Sequence, residues 1–188
     1  MDILIRKYTA QSVALATGAT SKQITDWCNQ GLIIGQREPL GRGHKRLFSW
    51  FNIMEIAGAL ALMNIGIKSP GDAFRAATYF SHVGEGGTGW VGDDGIMEDD
   101  NEPKRWPALP FHHKHGVTYL LVSDGAGHVV LSVDGKVDPL VLSPLTGSAG
   151  VLGFIALNMT ELFMRVINRM AMEGREILDE AYPEDATA

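Results

Sequence analysis

Residues 8–33, YTAQSVALATGATSKQITDWCNQGLI, decide the fold of the first part of this chain. The small residue Ala14 lies where two helices would cross closely. Gly18 follows four residues later, where a tight turn needs a positive φ that glycine adopts without steric cost. Ile24 comes six residues after Gly18, at a position for the inner face of a second helix. This spacing predicts two helices joined by a short turn, the helix-turn-helix arrangement.

Capping residues predict the limits of four helices. Thr9 is the expected N-cap of a first helix over residues 10–17, and Thr20 or Ser21 caps a second that ends near residue 30. Ser49 caps a third helix over residues 50–64. Pro70, a residue favoured in the first turn, begins a fourth over about residues 70–81.

A two-stranded hairpin is expected between the second and third helices. Apolar residues 32–34 and 47–48 predict its strands, and the Gly-Arg-Gly sequence at residues 41–43 predicts its tip. Residues 1–50 carry seven basic and three acidic side chains, a formal charge of +4, and residues 51–188 carry nine and nineteen, a charge of −10. A basic first part on an acidic remainder is typical of a nucleic-acid-binding module joined to a second domain.

The rest of the chain predicts a sheet followed by a helix, so the expected fold class is α+β. Residues 83–116 are rich in glycine and acidic side chains, which predicts a linker or loop. Alternating segments at residues 117–122, 129–133 and 137–142 predict a small antiparallel meander, with an Asp-Gly turn at residues 134–135. A long amphipathic helix is expected over about residues 150–179, which places a second domain at residues 117–188.

The apolar stripe of this long helix predicts a homodimer. At about 1.5 Å per residue the helix would be about 45 Å long, more than one face of a small meander can cover. Its surplus apolar surface then needs a partner, most simply a second copy of the chain. The stripe consists of Met159, Leu162, Phe163, Val166, Ile167 and Met170. The same domain is the expected place for a small-molecule effector, whose chemistry the sequence does not indicate.

Residues 8–66 resemble the DNA-binding domain of the MerR family. The matching features are the first helix and turn, the Gly-Leu-Ile sequence at residues 31–33, and the Arg-Leu-Phe-Ser sequence at residues 46–49. The Asn-Ile-Gly sequence at residues 64–66 also fits the end of the family's third helix. The resemblance covers about a third of the chain. It implies a winged helix-turn-helix domain at residues 1–82 and a DNA-binding transcriptional regulator.

The candidate DNA contacts lie on the second helix and on the hairpin. On the helix, Lys22 can reach guanine, Gln23 adenine, and Asp26 can accept from cytosine. Cations around a glycine-rich tip neutralise phosphates, and Arg42 is placed for the minor groove. The full candidate set is Ser21, Lys22, Gln23, Thr25, Asp26, Arg37, Arg42, His44, Lys45 and Arg46.

Two departures from the family pattern leave other functions open. Thr25 and Asp26 stand where the family usually has Arg-Tyr, and no long dimerisation helix follows the DNA-binding region directly. An excisionase-like or architectural DNA-binding protein is one alternative. A helix-turn-helix module that binds protein rather than DNA is another.

No catalytic group, cofactor or metal site is expected from the remaining residues. The single cysteine, Cys28, excludes an intrachain disulfide and a thiolate cluster. The His-His-Lys-His run at residues 112–115 has no cysteine or carboxylate beside it, so a polar loop is expected there. The chain start lacks the apolar core of a signal peptide, and the apolar runs are too short for a bilayer, so a cytoplasmic protein without a membrane partner is expected.

Overall fold

The computed structural model describes residues 2–36, 45–84, 105–123, 126–137 and 153–183. Its helices are α1 (Asp2–Ile5), α2 (Ala10–Thr17), α3 (Ser21–Asn29), α4 (Trp50–Asn64), α5 (Pro70–Ser81), α6 (Met159–Arg169) and α7 (Gly174–Ala181). Its strands are β1 (Tyr8–Thr9), β2 (Leu47–Phe48), β3 (Val117–Ser123), β4 (Ala126–Val133), β5 (Lys136–Val137) and β6 (Ile155–Asn158). The expected α+β class is therefore confirmed. None of the helices in these ranges has the length and apolar character needed to cross a bilayer.

The four predicted helices of the first 82 residues are present within a residue of their expected limits. Their N-caps are Thr9, Thr20, Ser49 and Ser69, and each side-chain oxygen accepts a backbone N–H from the first turn. Thr20 and Ser49 also form reciprocal capping boxes with the residue three positions later. These bonds satisfy N–H groups that a helix leaves unpaired at its start, which is why local sequence predicted the boundaries correctly.

Gly18 has the backbone conformation that the turn between α2 and α3 was predicted to need. Its φ is +81°, and its N–H donates to Ala14 O at 2.9 Å, closing the end of α2. We expect Gly18→Ala to lower the free energy of unfolding by about 1–2 kcal/mol, since an L-residue is strained there. Urea unfolding followed by circular dichroism measures the change.

Gly71→Ala is the matched control for this substitution. Gly71 lies in the first turn of α5, and an added Cβ would only touch Ser69 Oγ, at 3.8 Å. Alanine should therefore be neutral or stabilising by up to about 1 kcal/mol at that position. Equal effects at the two glycines would contradict the role assigned to the left-handed turn.

The main sheet has four strands in the order β5-β4-β3-β6, all antiparallel. Asp134 and Gly135 both have positive φ, 50° and 75°, as a type I′ hairpin turn requires, so the predicted Asp-Gly turn is confirmed. Of the predicted third strand, residues 138–142 lie outside the described residues. A second, two-stranded sheet pairs β1 with β2.

The predicted long helix over residues 150–179 is wrong. Ile155 begins β6, which pairs with β3, and Asn158 then caps α6 by accepting from Glu161 N at 2.9 Å. Helix α6 ends at Arg169, and Ala171 turns the chain with a φ of +54°. Gly174, the first residue of α7, is the one local signal of this break, and the helix-forming residues on either side of it outweighed it in the prediction.

The stripe predicted to form a dimer seam faces the chain's own core instead. Met159, Phe163, Val166 and Ile167 are buried, while Leu162 and Met170 are partly buried against the same core. Phe163 packs edge-to-face on Trp50 of α4, with ring centroids 6.0 Å apart. Because the shorter helix α6 packs on α2, α4 and the sheet, its apolar surface is already covered.

One hydrophobic core joins residues from both predicted domains. It extends from Ile3 to Tyr182, so the predicted boundary after residue 82 falls inside a continuous core. Within residues 105–116, predicted as part of a linker, residues 108–112 are buried, and Ala108 and Leu109 belong to this core. Trp50 Nε1 donates to Ala108 O at 3.0 Å, and the Tyr182 hydroxyl donates to Pro110 O at 2.9 Å. The part of the predicted linker that the structure describes is therefore held in place between α5, α7 and the sheet.

Candidate functional site

Helix α3 is fixed with one face toward the core. Ile24, Trp27 and Cys28 are buried, and the Trp27 ring packs edge-to-face on Phe74 of α5 with centroids 5.2 Å apart. Apolar residues at this spacing occupy one side of a helix, so the polar residues of α3 face solvent. This face is the one predicted to meet DNA.

The candidate contacts on α3 lie together on its outer side. Ser21, Lys22 and Thr25 are exposed, whereas Gln23 and Asp26 are only partly exposed. Lys22 is the most accessible, with 85% of its side chain exposed. The five side chains come from two successive helical turns, and together they form a continuous polar surface.

Several polar atoms of this surface are already hydrogen-bonded within α3. Lys22 Nζ lies 2.7 Å from Asp26 Oδ2, and this hydrogen bond raises the pKa of Lys22. Gln23 Oε1 accepts from the Thr20 backbone N–H and hydroxyl, both at 2.9 Å. Lys22 Nζ keeps two further N–H donors for a base or phosphate, but the ion pair with Asp26 offsets its positive charge.

Arg46 and Lys45 lie beside the C-terminal end of α3. Both terminal nitrogens of Arg46 are 3.4 Å from Asn29 Oδ1, and the guanidinium also hydrogen-bonds the Cys28 thiol. Burial raises the pKa of that thiol, and the nearby charge of Arg46 acts in the opposite direction. Lys45 is exposed. The other candidate contacts on the hairpin, Arg37, Arg42 and His44, lie outside the described residues.

The predicted hairpin is only partly correct. Residues 32–34 are not a strand, because β2 pairs with β1 rather than with them. The backbone of Ile34 instead bonds to side chains of α4: its N–H donates to Glu55, and its carbonyl accepts from Asn52 Nδ2 at 2.9 Å. Gln36 Nε2 donates to Leu47 O at 2.9 Å, so the two ends of the segment at residues 37–44 are held close together.

Glu55 is the residue of this region that the sequence prediction missed. Its carboxylate is fully buried and forms hydrogen bonds with Ile34 N, Asn52 Nδ2 and His82 Nε2. The signal for it was present, because Glu55 is the only charged residue in the otherwise apolar run of α4, WFNIMEIAGALALMN. An isolated charge among core residues indicates a buried polar network, since an unpaired one would be too costly.

A second polar cluster forms where residues 111–116 meet α7. The predicted loop before the strand is present, but His112 within it is fully buried and its Nε2 lies 2.9 Å from Asp179 Oδ1. His113 Nδ1 lies 3.9 Å from the same oxygen, and its ring is tilted against that of His112 at 4.1 Å between centroids. Burial lowers the pKa of His113, and the neighbouring His112 lowers it further. Among the described residues these three side chains could together ligate a metal ion.

Comparison with known proteins assigns neither site. No protein-family model matches the chain, and a search of curated proteins finds no significant relative.

Proposed function

We propose that this chain is a DNA-binding transcriptional regulator that inserts α3 into the major groove. The observation that carries the proposal is the outer face of α3, where Ser21, Lys22 and Thr25 are exposed on a helix whose other side is fixed by Ile24 and Trp27. A recognition helix needs both properties: polar side chains that reach base edges, and a rigid attachment that sets their register.

Contacts of the residues on either side of the segment 37–44 support a basic wing beside this helix. Gln36 and Leu47 hold the ends of the segment together, and Arg46 ties its C-terminal end to Asn29 at the end of α3. Residues 37–46 contain four basic side chains and one acidic one. In this proposal the wing lies on the phosphate backbone or in the minor groove while α3 reads the bases.

Selection from a randomised duplex pool, repeated at several salt concentrations, tests the proposal. We expect one enriched site, and an affinity that falls with rising salt as counterions are released from several neutralised phosphates. A palindromic site with half-sites about 34 Å apart, or a multiple of that, would mean that two copies bind. The homodimer stays a prediction. The buried residues of α6 cannot form its interface, because they already pack against the chain's own core.

Lys22→Ala is expected to weaken binding to the selected site by about tenfold to a hundredfold, which is the usual cost of losing a base contact. The effect should be large because Asp26, once its partner is lost, adds a negative charge next to DNA. Asp26→Asn should have the opposite effect and tighten binding, since it frees Lys22 and removes the repulsion. Fluorescence anisotropy with a labelled duplex measures both variants.

Arg165→Ala is the control for these variants. Arg165 is an exposed cation in a helical ion pair with Glu161 at 3.0 Å, four residues away, as Lys22 is with Asp26. It should change the DNA affinity less than twofold. An equal loss in Lys22→Ala and Arg165→Ala would show non-specific electrostatics rather than recognition by α3. Tandem direct repeats would favour an architectural protein, and no enrichment at low salt would favour a protein-binding module.

A further inference from the structure

We propose that His112, His113 and Asp179 form a binding site for one divalent transition-metal ion with the ligand preferences of Zn²⁺. Two imidazole nitrogens and a carboxylate oxygen are common ligands of this ion. The site is separate from α3 and does not depend on the proposed DNA-binding function.

The three side chains are close to the geometry that a metal ion needs. One ligand atom from each lies within 4.8 Å of the other two. In a tetrahedral zinc site, bonds of about 2.0–2.1 Å put neighbouring ligand atoms about 3.3 Å apart. The distances to Asp179 Oδ1 are 2.9 Å from His112 and 3.9 Å from His113, which bracket that value. Because His113 and Asp179 are partly exposed, small side-chain rotations can close the site and leave the fourth position to water.

A hydrogen bond alone does not explain this arrangement. The contact between His112 and Asp179 would satisfy the buried ring of His112 without any help from His113. His113 nevertheless directs Nδ1 toward the same oxygen from 3.9 Å, beyond hydrogen-bonding distance. Two imidazole nitrogens and a carboxylate oxygen within 4.8 Å of one another are the arrangement that one shared ion would require.

Two cations near the cluster should weaken its affinity for a metal ion. Lys114 and Arg175 are close enough to His113 to lower its pKa, so they also repel a cation. Metal binding at His112 Nε2 moves the ring proton to Nδ1, which now faces the Lys114 backbone N–H at 3.4 Å. Two N–H donors would then face each other at a buried ring, which lowers the expected affinity further.

Titration of the tag-free full chain with Zn²⁺, followed by calorimetry, tests the site. We expect one Zn²⁺ per chain, with an affinity that falls at least tenfold in His113→Ala and in Asp179→Asn. Both substitutions are at partly exposed positions, and circular dichroism checks that the variants fold. Because the ligands join residues 112–113 to α7, Zn²⁺ at a hundred times Kd should also raise the Tm of the native chain by about 5 °C.

His128→Ala is the matched control, and Co²⁺ provides an independent readout. His128 lies on β4, stacks on Tyr79 and is outside the cluster, so its loss should leave Zn²⁺ affinity unchanged. Co²⁺ bound by the native chain should give visible absorption bands typical of tetrahedral coordination, and these should be lost in Asp179→Asn. No saturable Zn²⁺ binding, or equal binding by the native chain and both ligand variants, would overturn the proposal.

Discussion

Replacing Arg105 with Met is expected to lower the free energy of unfolding by about 3–5 kcal/mol. The guanidinium is fully buried above the ring of Phe80, 4.9 Å from its centroid. It donates to the carbonyls of Phe80 at 3.0 Å, Leu109 at 3.2 Å and Tyr79 at 3.4 Å, and to that of Val83. Most of these carbonyls lie at the C-terminal end of α5, where a helix leaves its carbonyls unpaired and partly negative.

Methionine fills a similar volume but donates no hydrogen bond. Replacing a buried ion with an apolar residue can be neutral when its partner is replaced as well, but backbone carbonyls stay in place whatever the side chain. The carbonyls of Leu109, Tyr79 and Val83 would lose this donor, and the Phe80 carbonyl would keep only the Ala108 N–H, at 3.0 Å. Urea unfolding of the variant measures this cost.

Arg75→Met is the control, because Arg75 is an arginine on α5 itself with 61% of its side chain exposed. Its ion pair with Asp72 is on the surface, so its loss should change stability by no more than about 0.5 kcal/mol. If the two variants were equally stable, Arg105 would not be the group that holds residues 105–109 against α5.

Arg105 also shows where prediction from the sequence stops. The helices α2 to α5 were predicted because their signals are local: Thr9, Thr20 and Ser49 cap residues that follow within one turn. Arg105 lies between an acidic run and several prolines, a composition typical of a loop, and its partners on α5 are more than twenty residues away. Burial of this kind depends on tertiary packing, which cannot be predicted from a short segment of the sequence.

The wrong prediction of one long helix over residues 150–179 has the same origin. The sequence of β6, IALN, contains good helix formers, and it is a strand because it pairs with β3, more than thirty residues earlier in the chain. Once Ile155 is in the sheet, Asn158 becomes a cap rather than a mid-helix residue. The candidate contacts on α3 were easier to predict, since the positions of Ile24 and Trp27 determine which side of a nine-residue helix faces solvent.

Glu55→Leu should also lower the free energy of unfolding by about 3–5 kcal/mol, because it removes the acceptor at the centre of a buried network. Leucine is close to glutamate in size, so the cost comes from donors that lose their acceptor: the Ile34 N–H, one N–H of the Asn52 amide and the His82 ring. Glu161→Leu is the matched control, since Glu161 is 57% exposed, and it should cost no more than about 0.5 kcal/mol. Similar stabilities in urea unfolding would show that the network contributes little.

Glu55→Gln separates this structural role from a role in DNA binding. Glutamine keeps one acceptor oxygen for the Ile34 N–H, so we expect a smaller loss of about 1–2 kcal/mol and a folded protein. Ile34 lies three residues before the segment 37–44, and its contact with Glu55 fixes the backbone shortly before that segment begins. If residues 37–46 act as a wing, Glu55→Gln should weaken DNA binding although Glu55 is buried and cannot touch DNA. A folded Glu55→Gln variant with native affinity would mean that Gln36 and Arg46 position the wing without Glu55.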